Sequence, residues 1–246
     1  MSQFEEFTES EYRRLLGAAR AHWRFLTYRE ALAGASGCLW RHDVDFSPHR
    51  ALRLATIEAE ESVRSTYFVL LHSTFYNALE PSVAAKLRDI RELGHDLGIH
   101  IDAEAYGGRI RDEATLGEAL QLERDLIERF FGAPVDAFSF HNPTVHPEAF
   151  SESDEVAGLV NAYGRSLQAN FSYVSDSNGY WRHRSLGDFI EQSESPRAHV
   201  LTHPEWWTPG PMSPRDRVSR CIDGRANAQH AEYDAFLARH GRLNVR

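Results

Sequence analysis

The chain has 246 residues, 42% of them hydrophobic and 26% charged, a composition typical of a folded globular domain and not of a disordered segment. Its formal net charge of −9 and the absence of a clustered basic surface argue against a nucleic-acid partner. The first residues lack the order of a secretory signal, and no apolar run approaches the roughly twenty residues that cross a bilayer. We therefore expect a cytoplasmic protein without a membrane span, in which Cys38 and Cys221 are buried thiols.

The predicted elements alternate between short strands and longer helices. Thr8 and Glu11 have capping-box spacing ahead of a first helix, Pro48 suits the first turn of the next, and Gly132 suits the end of another. Strands are predicted at 38–42, 65–71, 95–101, 136–141, 171–175 and 199–202, and later helices from 48 and at 81–93, 113–131, 154–167 and 226–240.

This alternation, without a repeat or a low-complexity linker, predicts one α/β domain with a mainly parallel sheet. A distorted, incomplete (β/α) barrel explains it best, and an open doubly wound sheet is the alternative. We divide the domain into an N-terminal helical segment (1–36), a core (37–207) and a C-terminal helical closure (208–246). No glycine-rich phosphate loop follows a predicted strand, so no nucleotide cofactor is expected.

Acid and imidazole side chains follow five of the predicted strands, at the sheet edge where parallel α/β folds build their sites. They are His42, Asp43, Asp45, His100, Asp102, Glu104, His141, Asp176, His203 and Glu205. A single residue of this kind is more often a helix cap, a turn residue or a core histidine. Five such strand ends together predict a functional site.

Asp43 and Asp45 lie two residues apart, so both can point to one side of the sheet and share a cation. Imidazole from His100 together with carboxylate oxygen suits zinc or another divalent transition metal, with positions left open for water and substrate. The aspartate that is not a ligand could accept a proton from that water, and His203 would then protonate a departing amine.

These residues resemble the motifs of the NodB-homology polysaccharide deacetylases, carbohydrate esterase family 4, whose fold is a distorted (β/α) barrel. The resemblance covers residues 39–207. The stretch 42–45, His-Asp-Val-Asp, is similar to the first motif, which implies that Asp43 is the catalytic base and Asp45 a metal ligand. The stretch 94–100 is similar to the second motif, whose terminal histidine implies a ligand role for His100.

The later motifs follow in order. The resemblance of 173–181 to the fourth motif implies that Trp181 lies in the wall of an acetyl pocket, and the resemblance of 200–203 to the fifth implies that His203 is the general acid. In the third motif, His141 stands where the family has an arginine that orients the base. We therefore place His141 among the catalytic residues.

A second departure concerns the metal. The family's second ligand histidine is expected four residues after His100, where this chain has Glu104. The third ligand is therefore open: Glu104 by position, Asp102 by alternation, or His141 by replacement of the arginine, ranked in that order. An oxygen-richer set would shift the preference from zinc toward manganese or iron.

The aspartate-valine-aspartate variant resembles the branch linked to surface-polysaccharide or O-antigen biosynthesis. The implied function is a metal-dependent hydrolase that removes an N-acetyl group from an amino sugar in such a precursor, with a carbohydrate or carrier-linked sugar as its partner. The alternatives are an amidohydrolase or deformylase on a non-carbohydrate amide, and a sugar-binding pseudoenzyme. Candidate substrate-binding residues are Trp181, Asp176, Tyr76 and Trp206, although aromatic residues more often serve packing alone.

Overall fold

A computed structural model describes residues 4–145, 147, 150–181 and 184–245 of the chain. Within these residues eight strands form one sheet: β1 (Gly37–Val44), β2 (Thr66–Val69), β3 (Asp96–Ile101), β4 (Val135–Phe140), β5 (Glu155–Val156), β6 (Leu159–Asn161), β7 (Ser172–Ser175) and β8 (Arg197–Thr202). Their order across the sheet is β5-β6-β4-β3-β2-β1-β8-β7. Neighbouring strands are parallel except in the antiparallel β5–β6 hairpin.

The α-helices of the described residues are α1 (Glu9–His22), α2 (Tyr28–Leu32), α3 (Pro48–Glu60), α4 (Pro81–Glu92), α5 (Glu113–Phe131), α6 (Arg165–Asn170), α7 (Leu186–Glu191) and α8 (Pro214–Arg239). Local sequence sets several of their ends. The Thr8 side chain accepts a hydrogen bond from the Glu11 amide at the start of α1, and Pro48 occupies the first turn of α3. Gly132 ends α5 in the left-handed conformation that favours glycine. These predicted boundaries are confirmed.

The sheet curves but does not close. Strands β5 and β7 are its two edges, yet Ala162, just after β6, and Tyr173 of β7 line one cavity. The two ends of the sheet therefore face each other without hydrogen-bonded pairing, and we call the gap between β6 and β7 the seam. The prediction of an α/β fold with a mainly parallel, incomplete barrel is confirmed.

The interior of the barrel is filled at the amino ends of the strands. Leu26 and Tyr28, which come from the α2 segment, pack there against Leu39 of β1 and Phe68 of β2. On the neighbouring strand, a Cβ added to Gly98 would lie 2.5 Å from the Phe68 ring, so glycine permits this close approach. This packed floor lies beneath β1, β2 and β3, whose carboxyl ends stay open for a site.

Two predicted helices differ from the structure. The helix predicted at 154–167 is wrong: β5 and β6 form a hairpin there, and α6 begins only at Arg165. Ala157 and Gly158 form the two-residue turn with φ of 51° and 74°, a conformation that ends a helix and joins twisted strands. The C-terminal helix begins at Pro214 and not at 226, because the Ser213 side chain accepts a hydrogen bond from the Asp216 amide and caps it.

Across the described part of the chain, no helix has both the length and the apolar character needed to cross a bilayer. The cytoplasmic location and the three-part division of the chain stay predictions.

Candidate active site

A cavity of about 400 Å³ opens at the carboxyl ends of the strands. Its walls include side chains from four different strand ends, listed here in chain order: Asp43, Asp45, His100, His141 and His203. All five were predicted as site residues. The curvature of the sheet brings them together although up to 160 residues separate them in the sequence.

Three of these residues form a candidate metal group. One ligand atom each from Asp45, His100 and His141 lies within 4.8 Å of the other two, and this is the one such group of three found in the described residues. His100 Nε2 lies 3.3 Å from Asp45 Oδ1 and 3.4 Å from His141 Nδ1. Two imidazoles and one carboxylate are donors that zinc, iron and manganese accept, so the residues fit the expected cation.

The surroundings of the group also fit a cation. Asp45 Oδ1 is buried, yet no described residue gives it a hydrogen bond. Burial raises the pKa of Asp45, but the close His100 imidazole and the charges of His203 and His141 outweigh it and hold the pKa below its ordinary value. His100 Nδ1 lies 2.6 Å from Ser139 Oγ, which fixes the ring with Nε2 toward Asp45.

The two carboxylates ranked first as third ligand lie outside this group. Strand β3 ends at Ile101, and the Asp102 carboxylate then accepts a hydrogen bond from the Glu104 amide at 3.0 Å. That turn leads into a 3-10 helix on which Glu104 is exposed. Among the described residues, His141 lies with Asp45 and His100 in the candidate group, and neither Asp102 nor Glu104 does, so the geometry favours His141 as the third ligand.

Asp43 is paired with a buried arginine that the sequence analysis missed. Arg41 is fully buried, and its Nη2 donates to Asp43 Oδ2 at 2.9 Å and to the Tyr163 hydroxyl at 3.0 Å. Its guanidinium also lies over the Tyr163 and Phe68 rings, 4.9 and 5.4 Å from their centroids. A guanidinium thus contacts the predicted base, supplied by β1 and not by the segment after β4. The spacing of Arg41 and Asp43 could have indicated this pair, because residues two apart on a strand share a face.

His203 is held by Asp176, a fully buried carboxylate. The His203 ring Nδ1 lies 2.6 Å from Asp176 Oδ1, and the His203 amide donates to Asp176 Oδ2 at 2.9 Å. Burial lowers the pKa of His203, but the charge and hydrogen bond of Asp176 outweigh it and raise the pKa to about 10. The raised pKa favours the charged ring of His203, whose Nε2 lies 3.8 Å from Asp45 Oδ2. Asp176, predicted to bind substrate, instead positions His203.

The predicted aromatic substrate residues lie elsewhere. Trp181 stacks on Phe7 with ring centroids 5.1 Å apart. The Tyr76 hydroxyl donates to the Val44 carbonyl, and Trp206 is buried in the core. None of the three is among the described residues that line the cavity.

Two tyrosines line the cavity instead, Tyr163 and Tyr173. Tyr163 escaped the sequence analysis because it lies within the segment that was taken for a helix. Tyr173 was read only as part of the fourth motif. Both rings stand at the seam, Tyr163 shortly after β6 and Tyr173 on β7.

The other face of β1 carries a buried polar network. His42 Nε2 lies 2.6 Å from Glu58 Oε1, and the Tyr67 and Tyr12 hydroxyls also donate to the Glu58 carboxylate. His42 Nδ1 lies 2.8 Å from Thr202 Oγ1, next to His203 in the chain. Because adjacent residues of a strand point to opposite faces, this network anchors β1 directly behind Asp43.

No protein-family model and no curated protein matches the chain. Solved structures match, among them a mutant of a CE4 family pseudoenzyme from Bacillus anthracis with restored enzymatic activity (14% identity, 80% of this chain and 64% of that chain, TM-score 0.49). Others are a family 4 carbohydrate esterase from Bacillus anthracis (17% identity, 88% and 86%, TM-score 0.44) and a family 4 acetyl xylan esterase from Clostridium thermocellum in complex with a cobalt ion (14% identity, 78% and 84%, TM-score 0.44).

These structures come from the same esterase family whose motifs the sequence resembles. The present chain spans 64% of the length of the first of them. At such identities none of the similarities assigns a role to a residue of this chain, and the assignment to the surface-polysaccharide branch stays a prediction.

Proposed function

We propose that the protein is a metal-dependent hydrolase that removes an N-acetyl group from an amino sugar in a surface-polysaccharide precursor. One observation carries the proposal: a candidate metal group, a carboxylate paired with a buried guanidinium, and an imidazole paired with a buried carboxylate all face one cavity. These are the parts that amide hydrolysis by activated water requires.

Asp45, His100 and His141 would hold the cation. A divalent metal bound there would polarise the amide carbonyl and make a water molecule more acidic. Zinc suits the two imidazoles and one carboxylate, and manganese or iron would also be accepted.

Asp43 acts as the general base in this proposal. Arg41 engages its Oδ2, while Oδ1 is buried and receives no hydrogen bond from a described residue. Oδ1 is therefore the atom that can accept a proton from the attacking water. Arg41 cannot be deprotonated, so it keeps the carboxylate oriented through the reaction.

His203 acts as the general acid. The amide nitrogen must be protonated before the C–N bond breaks, and His203 Nε2 carries a proton on the side facing the cavity. Asp176 accepts from Nδ1 and stabilises the charged ring until that proton is given to the leaving amine.

The geometry bears on the pseudoenzyme alternative. That alternative was motivated by Glu104 and His141, which stand where the family has a histidine and an arginine. In the structure His141 completes the candidate metal group, and Arg41 supplies the guanidinium beside Asp43. Both departures are compensated, which favours an active hydrolase.

The test is to incubate purified protein and a divalent metal with nucleotide-linked and lipid-linked N-acetyl amino sugars and to measure released acetate. We expect release that requires metal and falls at least a hundredfold in Asp43→Asn. Asp102→Asn is the matched control, since Asp102 follows β3 but lies outside the metal group, and it should keep most activity. Acetate release from none of the sugars would contradict the proposal, and release only from simple non-sugar amides assayed in parallel would favour the amidohydrolase alternative.

A further inference from the structure

A second cavity, of about 450 Å³, adjoins the catalytic cavity at the seam. The two cavities share four lining residues and are therefore adjacent: Pro143, Thr144, Tyr163 and Tyr173. The rest of its wall is mostly apolar and includes Phe150, Leu167 and Phe171. We call this cavity the seam pocket.

The seam pocket lies nearer the amino ends of the strands than the catalytic cavity does. Leu201 of β8 and His203, which follows that strand, line the catalytic cavity. His199, which lies two residues before Leu201 on β8, lines the seam pocket. On β7 the order is the same, because Ser175 lines only the catalytic cavity and Tyr173 lines both. The pocket thus runs from the reacting centre toward the amino ends of the strands, away from the mouth.

The wall chemistry indicates what the pocket can hold. Sugar hydroxyls placed against Phe150, Leu167 and Phe171 would lose water without gaining hydrogen bonds. An aliphatic chain would gain from leaving water there. The volume lies within the range of small-molecule sites. Burial also lowers the pKa of His199 well below its ordinary value, so its ring adds no positive charge to the wall.

The two sides of the substrate's amide bond, the sugar side and the acyl side, must lie in different places. The sugar continues into its carrier and must therefore extend toward solvent at the mouth. The acyl group ends in a free terminus, which a pocket beside the catalytic cavity can hold. We propose, on the basis of the proposed function, that the seam pocket binds an aliphatic acyl chain longer than acetyl, attached to the amide whose carbonyl sits in the catalytic cavity. The protein would then be an amino-sugar N-deacylase with a preference for medium-length acyl chains.

Chain length tests the proposal. Acetyl, butyryl, hexanoyl and octanoyl amides of one amino sugar are compared by kcat/KM, with release of the free amine as the signal. Each methylene that enters the pocket should raise kcat/KM roughly fourfold until the pocket is filled.

A variant that fills the seam pocket tests whether the chain-length preference arises there. Gln168 is exposed on α6 and lines the seam pocket, so Gln168→Trp should lower the ratio of hexanoyl to acetyl kcat/KM at least tenfold. Asn170→Trp is the matched control, because Asn170 is exposed on the same helix but is not among the lining residues. Hexanoate should also inhibit acetyl hydrolysis more strongly than acetate does, and Gln168→Trp should remove that difference.

The outcomes separate the two proposals. If acetyl is released but longer chains are not preferred, the seam-pocket proposal is overturned and the hydrolase proposal stands. If longer chains are preferred equally in Gln168→Trp, the chain binds elsewhere and the seam-pocket proposal is again overturned. If no acyl amide of any length is hydrolysed, the hydrolase proposal fails and the acyl pocket with it.

Discussion

Replacing Arg41 by methionine would remove the guanidinium that accompanies Asp43 and keep much of the apolar length of the side chain. Arg41 is fully buried and Asp43 is 2% exposed, so water would replace the lost guanidinium only in part. The carboxylate would keep His100 Nε2, at 3.6 Å, as its nearest remaining cationic neighbour. Breaking a buried ion pair in this way costs about 3–5 kcal/mol in the free energy of unfolding.

A double-mutant cycle isolates the pair. Asp43→Asn removes the charge, so Arg41→Met in that background leaves no unpaired carboxylate and should cost about 1.5–3 kcal/mol less than it does alone. The free energies of unfolding of the wild type, both single variants and the double variant are measured by denaturant titration at pH 7. The reasoning is refuted if the two single costs simply add, because the guanidinium would then stabilise the protein independently of Asp43.

Further predictions concern other parts of the site. Burial raises the pKa of Glu58, but His42 and His95 outweigh it and lower the pKa to about 2. The ionised Glu58 carboxylate therefore stabilises the folded state fully above the ordinary carboxyl pKa, and this stabilisation is lost as pH falls toward 2. The gap in unfolding free energy between the wild type and Glu58→Gln should shrink by about 3 kcal/mol from pH 6 to pH 2, and a gap independent of pH would contradict this. His203→Gln should reduce kcat by about 10²–10⁴ with little change in KM, in initial-rate measurements; unchanged kcat would rule out His203 as the acid. Metal analysis of purified protein should find one divalent cation per chain, lost in His141→Ala and kept in Glu104→Ala; the reverse pattern would restore Glu104 as the third ligand.

Much of the fold could be predicted from the sequence because many of its elements are determined by neighbouring residues. Strand β1 begins as a short apolar run and helix α5 has clear periodicity, and Pro48 and Gly132 mark helix ends through their own backbone preferences. The segment 154–167 was predicted as a helix because its apolar spacing suits one. The turn at Ala157 and Gly158 makes it a hairpin instead. That turn is stabilised by pairing of β6 with β4, a contact far away in the sequence.

The site was predictable in part for the same reason. Asp43 lies at the end of β1, and Asp45 and His203 directly follow strands, so their positions depend only on strand order and direction. The third ligand depends on what the chain does after β3, and no periodicity reports that Asp102 caps a turn. His141 could have been ranked higher from strand pairing, because β4 lies beside β3 with Ser139 opposite His100.

The aromatic residues show the limit of motif reading. Trp181 occupies the motif position implied for an acetyl-pocket wall, yet its ring stacks on Phe7. Tyr163 and Tyr173, which stand at the seam, reach the cavity only because the sheet curves until its edges face each other. Curvature arises from the packing of all the strands and has no local signature.

The central claim is that Asp45, His100 and His141 hold one divalent cation beside Asp43. The most direct measurement is anomalous diffraction from a crystal grown with zinc and collected on both sides of the zinc absorption edge. We predict one strong anomalous peak about 2.0–2.2 Å from Asp45 oxygen, His100 Nε2 and His141 Nδ1. A peak bound instead by Glu104 or Asp102, or no peak at saturating zinc, would contradict the account.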